Sequence, residues 1–155
     1  MHTVAHILQS KPHHAVYSIT PDASVLQALE LMAQKGIGAL LVMEGKQIVG
    51  IVTERDYARK VEVFGRMANE TPVRDIMTAS VMYVRPTNTN QQCMALMTEN
   101  RLRHLPVLEG DQLAGLISIG DLVKDIISEQ EFIIQQLECY IMGDRAAMTL
   151  TSGRL

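Results

Sequence analysis

The chain has 155 residues, 47% of them hydrophobic and 20% charged, which is enough apolar mass for one compact unit or two small halves sharing a core. A net charge of −3 and an isoelectric point near 5.9 leave no global field to draw it to nucleic acid or to an anionic membrane, so any anion site must be local. No apolar run approaches the roughly 18 residues that span a bilayer, and the N-terminus lacks a signal-peptide pattern, so a cytoplasmic protein is expected.

Val4, Ile7 and Leu8 stand at helical spacing over residues 3–8 and predict a short amphipathic turn. A loop follows around Ser10–His14, where Lys11-Pro12 interrupts the pattern. Val16-Tyr17-Ser18-Ile19 reads as a strand ended by Pro21. Asp22 or Ser24 then caps a helix carrying Val25, Leu26, Leu29, Met32 and Ala33, which Gly36 stops. Two apolar strands come next, Ala39–Met43 and Ile48–Val52, joined by the turn Glu44-Gly45-Lys46-Gln47. The second ends at Thr53, and Asp56 lies three positions later at the start of a helix.

The chain then repeats this order. Val73–Thr78 restates the opening turn, Val81–Val84 the strand ended by Pro86, and Thr87 or Thr89 the cap. The helix carries Cys93, Met94, Leu96 and Met97 and stops at Asn100-Arg101; strands Leu105–Leu108 and Leu113–Ile117 flank Glu109-Gly110-Asp111-Gln112. Gly50, Thr53 and Asp56 recur as Gly115, Ser118 and Asp121 at a constant offset of 65, whereas Val4 and Val73 differ by 69, so the first copy holds four extra residues near Ser10–His14. Each copy reads β-α-β-β-α, predicting a mixed α/β (α+β) fold with repeats at 3–64 and 70–127. Residues 128–142 predict a further amphipathic helix with Phe132, Ile133, Gln136, Leu137 and Ile141 on one stripe, and 143–155 a flexible tail.

Cys93 and Cys139 are far apart, in no metal or redox spacing, and read as small core residues; methionines such as Met32, Met43, Met94 and Met97 read as core filler. His2 and His6 have i, i+4 spacing, but near a chain terminus they read, with His13 and His14, as solvated side chains, so no metal is expected. No Ser-His-Asp order or Cys-His motif is evident, and the two motif aspartates belong to opposite copies, so no enzyme is expected. Arg101, Arg103 and His104 are too few and too local for a nucleic-acid surface.

Gly50-Ile51-Val52-Thr53-x-x-Asp56, Gly115-Leu116-Ile117-Ser118-x-x-Asp121, Asp75-Ile76-Met77-Thr78 and Leu102-Arg103-His104-Leu105-Pro106-Val107 together resemble the CBS-domain family, specifically a stand-alone tandem pair, the Bateman module. No single piece is diagnostic; two in-register copies of the full order carry the resemblance, over about residues 3 to 127. It implies two units related by a pseudo-twofold, often dimerising, with clefts between them that bind adenine nucleotides: AMP, ADP, ATP, NAD(H) or S-adenosylmethionine. It also implies a conformational signal to a partner protein that the sequence does not name. The competing reading is a ligand-free scaffold that dimerises or docks a partner through its helices.

A carboxylate on the first helical turn can accept both ribose hydroxyls, and a helix N-terminus offers free N–H groups to an anion. The same Thr-x-x-Asp and Ser-x-x-Asp spacings also match capping boxes. By the resemblance, one site uses Thr53 and Asp56 with adenine walls from Val81, Met82, Leu102 and Pro106, and cations Arg55, Arg59, Lys60, Arg101, Arg103 and His104. The other uses Ser118 and Asp121 with Val16, Tyr17, Ile37 and Gly38. There Leu41 stands where Pro106 stands in the other copy, and Gly38-Ala39 replaces Arg103-His104, so its phosphate grip depends on Lys11, His13 or His14. Unequal sites follow, the Asp56 site being tighter for a phosphorylated ligand.

Overall fold

Thr3, Ser24, Thr53 and Thr89 each close a helix start with a side-chain oxygen that accepts a backbone N–H, and the elements fall where these caps allow. The computed structural model describes residues 1–152, with side chains described through Gly143. Its elements are α1 (Val4–Ser10), β1 (Ser18–Ile19), α2 (Val25–Lys35), β2 (Ala39–Glu44), β3 (Gln47–Thr53), α3 (Glu54–Tyr57), α4 (Asn90–Asn100), β4 (His104–Glu109), β5 (Gln112–Ser118) and α5 (Ile119–Ser152). A π-helical turn, Ala58–Glu62, continues α3, and 3-10 turns at Ala68–Glu70 and Val73–Asp75 lead into the second half. The fold is α+β, as the doubled β-α-β-β-α pattern predicts, and it carries a C-terminal helix.

The chain divides into two compact units that do not follow sequence order. One comprises His13–Val84 and Pro106–Leu116. In it β1 pairs parallel with β2 (Ser18↔Leu41, Ile19↔Val42) and β2 antiparallel with β3, with an irregularity between Val42 and Met43. Val25, Ala28 and Met32 of α2 pack with Leu40, Val42, Val52, Val61, Val73 and Ile76 into its core. Those α2 residues recur every three or four positions, which is why one helical face can be buried. Gly36 ends α2 in the left-handed conformation, where a residue without Cβ carries no steric penalty.

The other unit comprises Met1–Pro12, Arg85–Leu105 and the chain from Ile117. Here α1 and α4 both pack on α5. The α1 start is pinned by Val4 N–H donating to Asn88 O at 2.8 Å and by Asn90 N–H donating to His2 O at 2.9 Å. Val4, Ile7, Cys93, Met97, Leu105, Ile117 and Leu122 are buried.

Several expectations are corrected. Val81–Val84 forms no strand: only Val84 pairs, in a parallel bridge to Val107. Val81 N–H turns back to donate to Ala79 O at 3.1 Å, and Met82 and Tyr83 stay exposed. Residues 73–78 begin as a 3-10 turn, because Pro72 removes a donor and fixes φ at the turn's entry. The helix expected at 128–142 is not a separate element: α5 runs unbroken from Ile119, since no Pro or Gly interrupts 121–142. The tail's last residues, 153–155, lie outside the described residues. Cys93 is buried as expected, and that burial pushes its thiol up to about 11. Cys139 is exposed instead, because its part of α5 is covered by nothing among the described residues.

Candidate functional site

The Thr53 corner lies where β3 turns into α3. Gly50 is required just before it: a Cβ there would meet Met77 Sδ at 2.6 Å and Thr78 O at 3.0 Å. The segment 76–78 comes so close because Ile51 and Thr78 exchange two backbone hydrogen bonds, of 3.0 and 2.9 Å. That contact holds the end of β3 and so fixes where Thr53 points its hydroxyl. Thr53 Oγ1 accepts the Asp56 N–H at 3.2 Å, and Asp56 Oδ2 accepts the Thr53 N–H at 2.9 Å, a complete capping box. Lys60, on the π-helical turn, places Nζ 3.2 Å from Asp56 Oδ1 and donates to Ile76 O at 2.7 Å.

The Ser118 corner repeats this arrangement in the other unit. Asp121 Oδ2 accepts the Ser118 N–H at 2.8 Å, and Ser118 Oγ accepts the Asp121 N–H at 3.2 Å. Lys11, from the four-residue insertion, sets Nζ 3.0 Å from Asp121 Oδ2. Burial pushes the Asp121 carboxyl up, but the Ser118 N–H and the Lys11 ammonium outweigh it, so the group lies below the ordinary carboxylate range. Both corners therefore present a hydroxyl, a carboxylate and a lysine at a helix start.

The remaining expected site residues are placed as follows. Arg103 O accepts the Ile119 N–H at 2.8 Å, which ties the start of β4 to the start of α5. His104 is half-buried beside them; burial lowers its pKa, Asp121 raises it, and Lys11 and Arg103 lower it, with a net shift down. His104 thus lies in the field of Asp121, the aspartate of its own copy, a neighbourhood that the assignment to the Asp56 site did not include. Arg101 is the C-cap of α4 with φ 54°, exposed, and Leu102 N–H donates to Met97 O. Pro106 is buried and its carbonyl accepts the Val84 N–H at 3.0 Å.

Val81 is half-buried, Met82 exposed, and Arg55 and Arg59 are exposed on the helix after Thr53. Tyr17 packs on the core with Lys35 Nζ 5.1 Å over its ring, Ile37 packs beside it, and Gly38 O accepts the Glu54 N–H at 3.1 Å. Val16 is half-buried. His13 and His14 are exposed. Sequence reasoning missed Asn90, Asp125 and Glu129, which hydrogen-bond across 35 and 39 positions; no local spacing signals such a network.

The family model described as "CBS domain" matches this chain twice, over residues 4–63 and 73–128. The chain belongs to the CBS-domain family. It is 39% identical over 149 residues to the CBS domain-containing protein CBSX3, mitochondrial, of Arabidopsis thaliana, covering 91% of this chain and 72% of that one. A CBS-domain protein of known structure from Burkholderia ambifaria MC40-6 shares 58% identity and a TM-score of 0.80, over 83% of this chain and 96% of that one. The structure of CBSX2 in complex with AMP shares 25% identity and a TM-score of 0.68, over 83% of this chain and 98% of that one. Thr53 and Asp56 lie in the first matched segment and Ser118 and Asp121 in the second. No helix among the described residues is long and apolar enough to cross a membrane.

Proposed function

We propose that this chain is a cytoplasmic regulatory module that binds adenine nucleotides of the AMP, ATP or NAD(H) type at its two corners and signals to a partner protein by a change of conformation. The observation that carries this reading is the duplicated corner: Thr53, Asp56 and Lys60 in one unit, and Ser118, Asp121 and Lys11 in the other, each a hydroxyl, a carboxylate and an ammonium within hydrogen-bond reach. A carboxylate can accept ribose hydroxyls and an ammonium can meet a phosphate, so this residue set supports one ligand class. The bound AMP of CBSX2 supports the same class. The wall and charge residues assigned from the sequence, Val81, Met82, Leu102, Pro106, Arg101, Arg103 and His104 for the first site and Val16, Tyr17, Ile37 and Gly38 for the second, belong to this proposal. Ligand can shift the conformation only by the free energy with which it prefers one arrangement.

Isothermal titration of nucleotide-stripped protein with AMP, ATP, NADH and S-adenosylmethionine, repeated on Asp56→Ala and Asp121→Ala, tests it. Saturable binding with each variant losing a different component is expected. Absence of heat with every ligand in folded, stripped protein refutes it. A second reading, a scaffold that dimerises or docks a partner, is favoured by the exposed apolar stripe Phe132, Ile133, Leu137 and Ile141 on α5. Sedimentation velocity with Leu137→Lys tests that reading: a dimer in the wild type that the variant dissociates is expected from it, and a wild-type monomer refutes it.

A further inference from the structure

The histidines near the chain start do not both stand in solvent as their sequence position implies. His6 is exposed, but His2 is half-buried with Nδ1 2.7 Å from Asp125 Oδ1 of α5. The two imidazoles stack with centroids 4.0 Å apart at 31°. One ligand atom each from His2, His6 and Asp125 can be chosen so that all lie within 4.8 Å of one another. Two features bring them together: His6 follows His2 by four positions, with Thr3 between them capping α1, and the His2 carbonyl accepts the Asn90 N–H, which ties the chain start to the start of α4 beside α5.

Behind these three groups lies a buried polar layer. Asp125 is 8% exposed and Asn90 1%. Asn90 Nδ2 donates to Asp125 Oδ2 at 2.8 Å and to Glu129 Oε2 at 3.0 Å, so the amide fixes one carboxylate and links it to a second, which is ion-paired with the Met1 ammonium. Asn90 Oδ1 is buried with no hydrogen-bond partner among the described residues. An orphaned buried acceptor of this kind calls for a donor, and a metal-bound water is one that the neighbouring ligand set would supply.

We infer that His2, His6 and Asp125 form a divalent transition-metal site, with Asn90 as the outer group that holds its carboxylate and Glu129 bonded to that Asn90. Two imidazole nitrogens and one carboxylate oxygen suit Zn2+ and its neighbours in the first transition row, with a fourth position for water. Bond lengths of about 2.0–2.1 Å in a tetrahedron require ligand atoms about 3.3 Å apart, so the set must contract. The exposed His6 ring can turn inward to close it, while Asp125 is already oriented by Asn90, the arrangement that raises metal affinity from behind. A proton carried on the ring nitrogen that takes the metal leaves to solvent. These residues include none of the Ser118 corner's Ser118, Asp121 and Lys11, so metal binding is tested without nucleotide.

Isothermal titration of chelator-treated, nucleotide-free protein with Zn2+, and optical titration with Co2+, decide the matter on wild type and His6→Ala. The His6 side chain is exposed and makes no hydrogen bond among the described residues, so this variant keeps the fold, which thermal melting confirms. Binding of one Zn2+ per chain, weakened at least ~10-fold by His6→Ala together with loss of the Co2+ ligand-field bands, is expected. No saturable binding by the wild type, or equal binding by both proteins, overturns the assignment, the latter placing the ion at other groups such as His13 and His14.

Discussion

Replacing Gly50 by alanine tests whether the Thr53 corner is held by close approach of the chain at 76–78. The added Cβ would stand 2.6 Å from Met77 Sδ, 3.0 Å from Met77 Cγ and 3.0 Å from Thr78 O, against an optimal separation of about 3.5–4.0 Å for carbon contacts. Rotation of the flexible Met77 side chain relieves the first two contacts. The third cannot be relieved without stretching the paired Ile51–Thr78 hydrogen bonds. Overpacking of this kind costs about 1–3 kcal/mol, and for a chain of this size about 2–4 °C of melting temperature per kcal/mol. Urea denaturation of Gly50→Ala should show that loss with an unchanged slope, and Gly50→Ala/Met77→Ala should show a coupling that returns part of it. A change below about 0.5 kcal/mol in Gly50→Ala, within the range of neutral surface substitutions, would mean that β3 is not clamped here and that the position of Thr53 has another cause.

Three further outcomes follow from single residues. In the native protein a thiol reagent should modify Cys139 quickly and Cys93 only on unfolding, because Cys93 is buried with its thiol pushed up to about 11; mass spectrometry showing two fast sites contradicts the burial. His104 is driven below its ordinary 6.5 chiefly by burial, with Lys11 and Arg103 adding to this against Asp121. The unfolded chain therefore binds this proton more readily, so the contribution of His104 to stability is present above 6.5 and is lost as pH falls through 6.5 toward the lower folded value. His104→Gln should flatten that part of the stability profile, and an NMR titration midpoint at or above 6.5 refutes the argument. Arg101 caps α4 at φ 54°, so Arg101→Gly should stabilise the protein by about 0.5–1 kcal/mol in thermal melts. If Arg101 also meets phosphate, the same change weakens nucleotide binding, and a concurrent loss of stability contradicts the backbone argument.

The doubled motif made the element order legible because glycine, hydroxyl and aspartate recur at one spacing, and local spacing is what caps and turns obey. The capping partners Ser24, Thr53, Thr89 and Ser118 were readable for the same reason, each bonding three residues ahead. Contacts between distant positions were not readable. Nothing in the chain's local pattern says that Asp125 of α5 meets His2, since that depends on α1 packing beside α5 in a unit assembled from three separate segments. The Lys11–Asp121 pair lies between these cases: the insertion pointed to a spare cation, and only folding showed that Lys11 rather than His13 or His14 reaches the carboxylate.

Capping and ribose binding were competing explanations of the aspartates, and the geometry makes them compatible to different degrees. A carboxylate has about four acceptor sites. At Asp56, Oδ2 takes the Thr53 N–H and the Thr53 hydroxyl, and Oδ1 takes Lys60, which leaves about one site. At Asp121, Oδ2 takes the Ser118 N–H and Lys11, while Oδ1 takes nothing among the described residues, which leaves about two. A ribose diol needs two acceptor sites, so under the proposed function Asp121 would accept it with its cap intact, whereas Asp56 would have to release Lys60 or the Thr53 hydroxyl. Released in that way, Lys60 becomes available to a phosphate, with Arg55 and Arg59 exposed on the same stretch. The inequality expected between the two proposed sites is then one of kind: on the proposal, the Asp121 corner would take ribose with a single lysine beside it, and the Asp56 corner would exchange an internal ion pair for a phosphate contact. If the proposed sites hold, a ligand's phosphate charge should therefore matter most at the Asp56 corner, where binding would have to break the Lys60 pair.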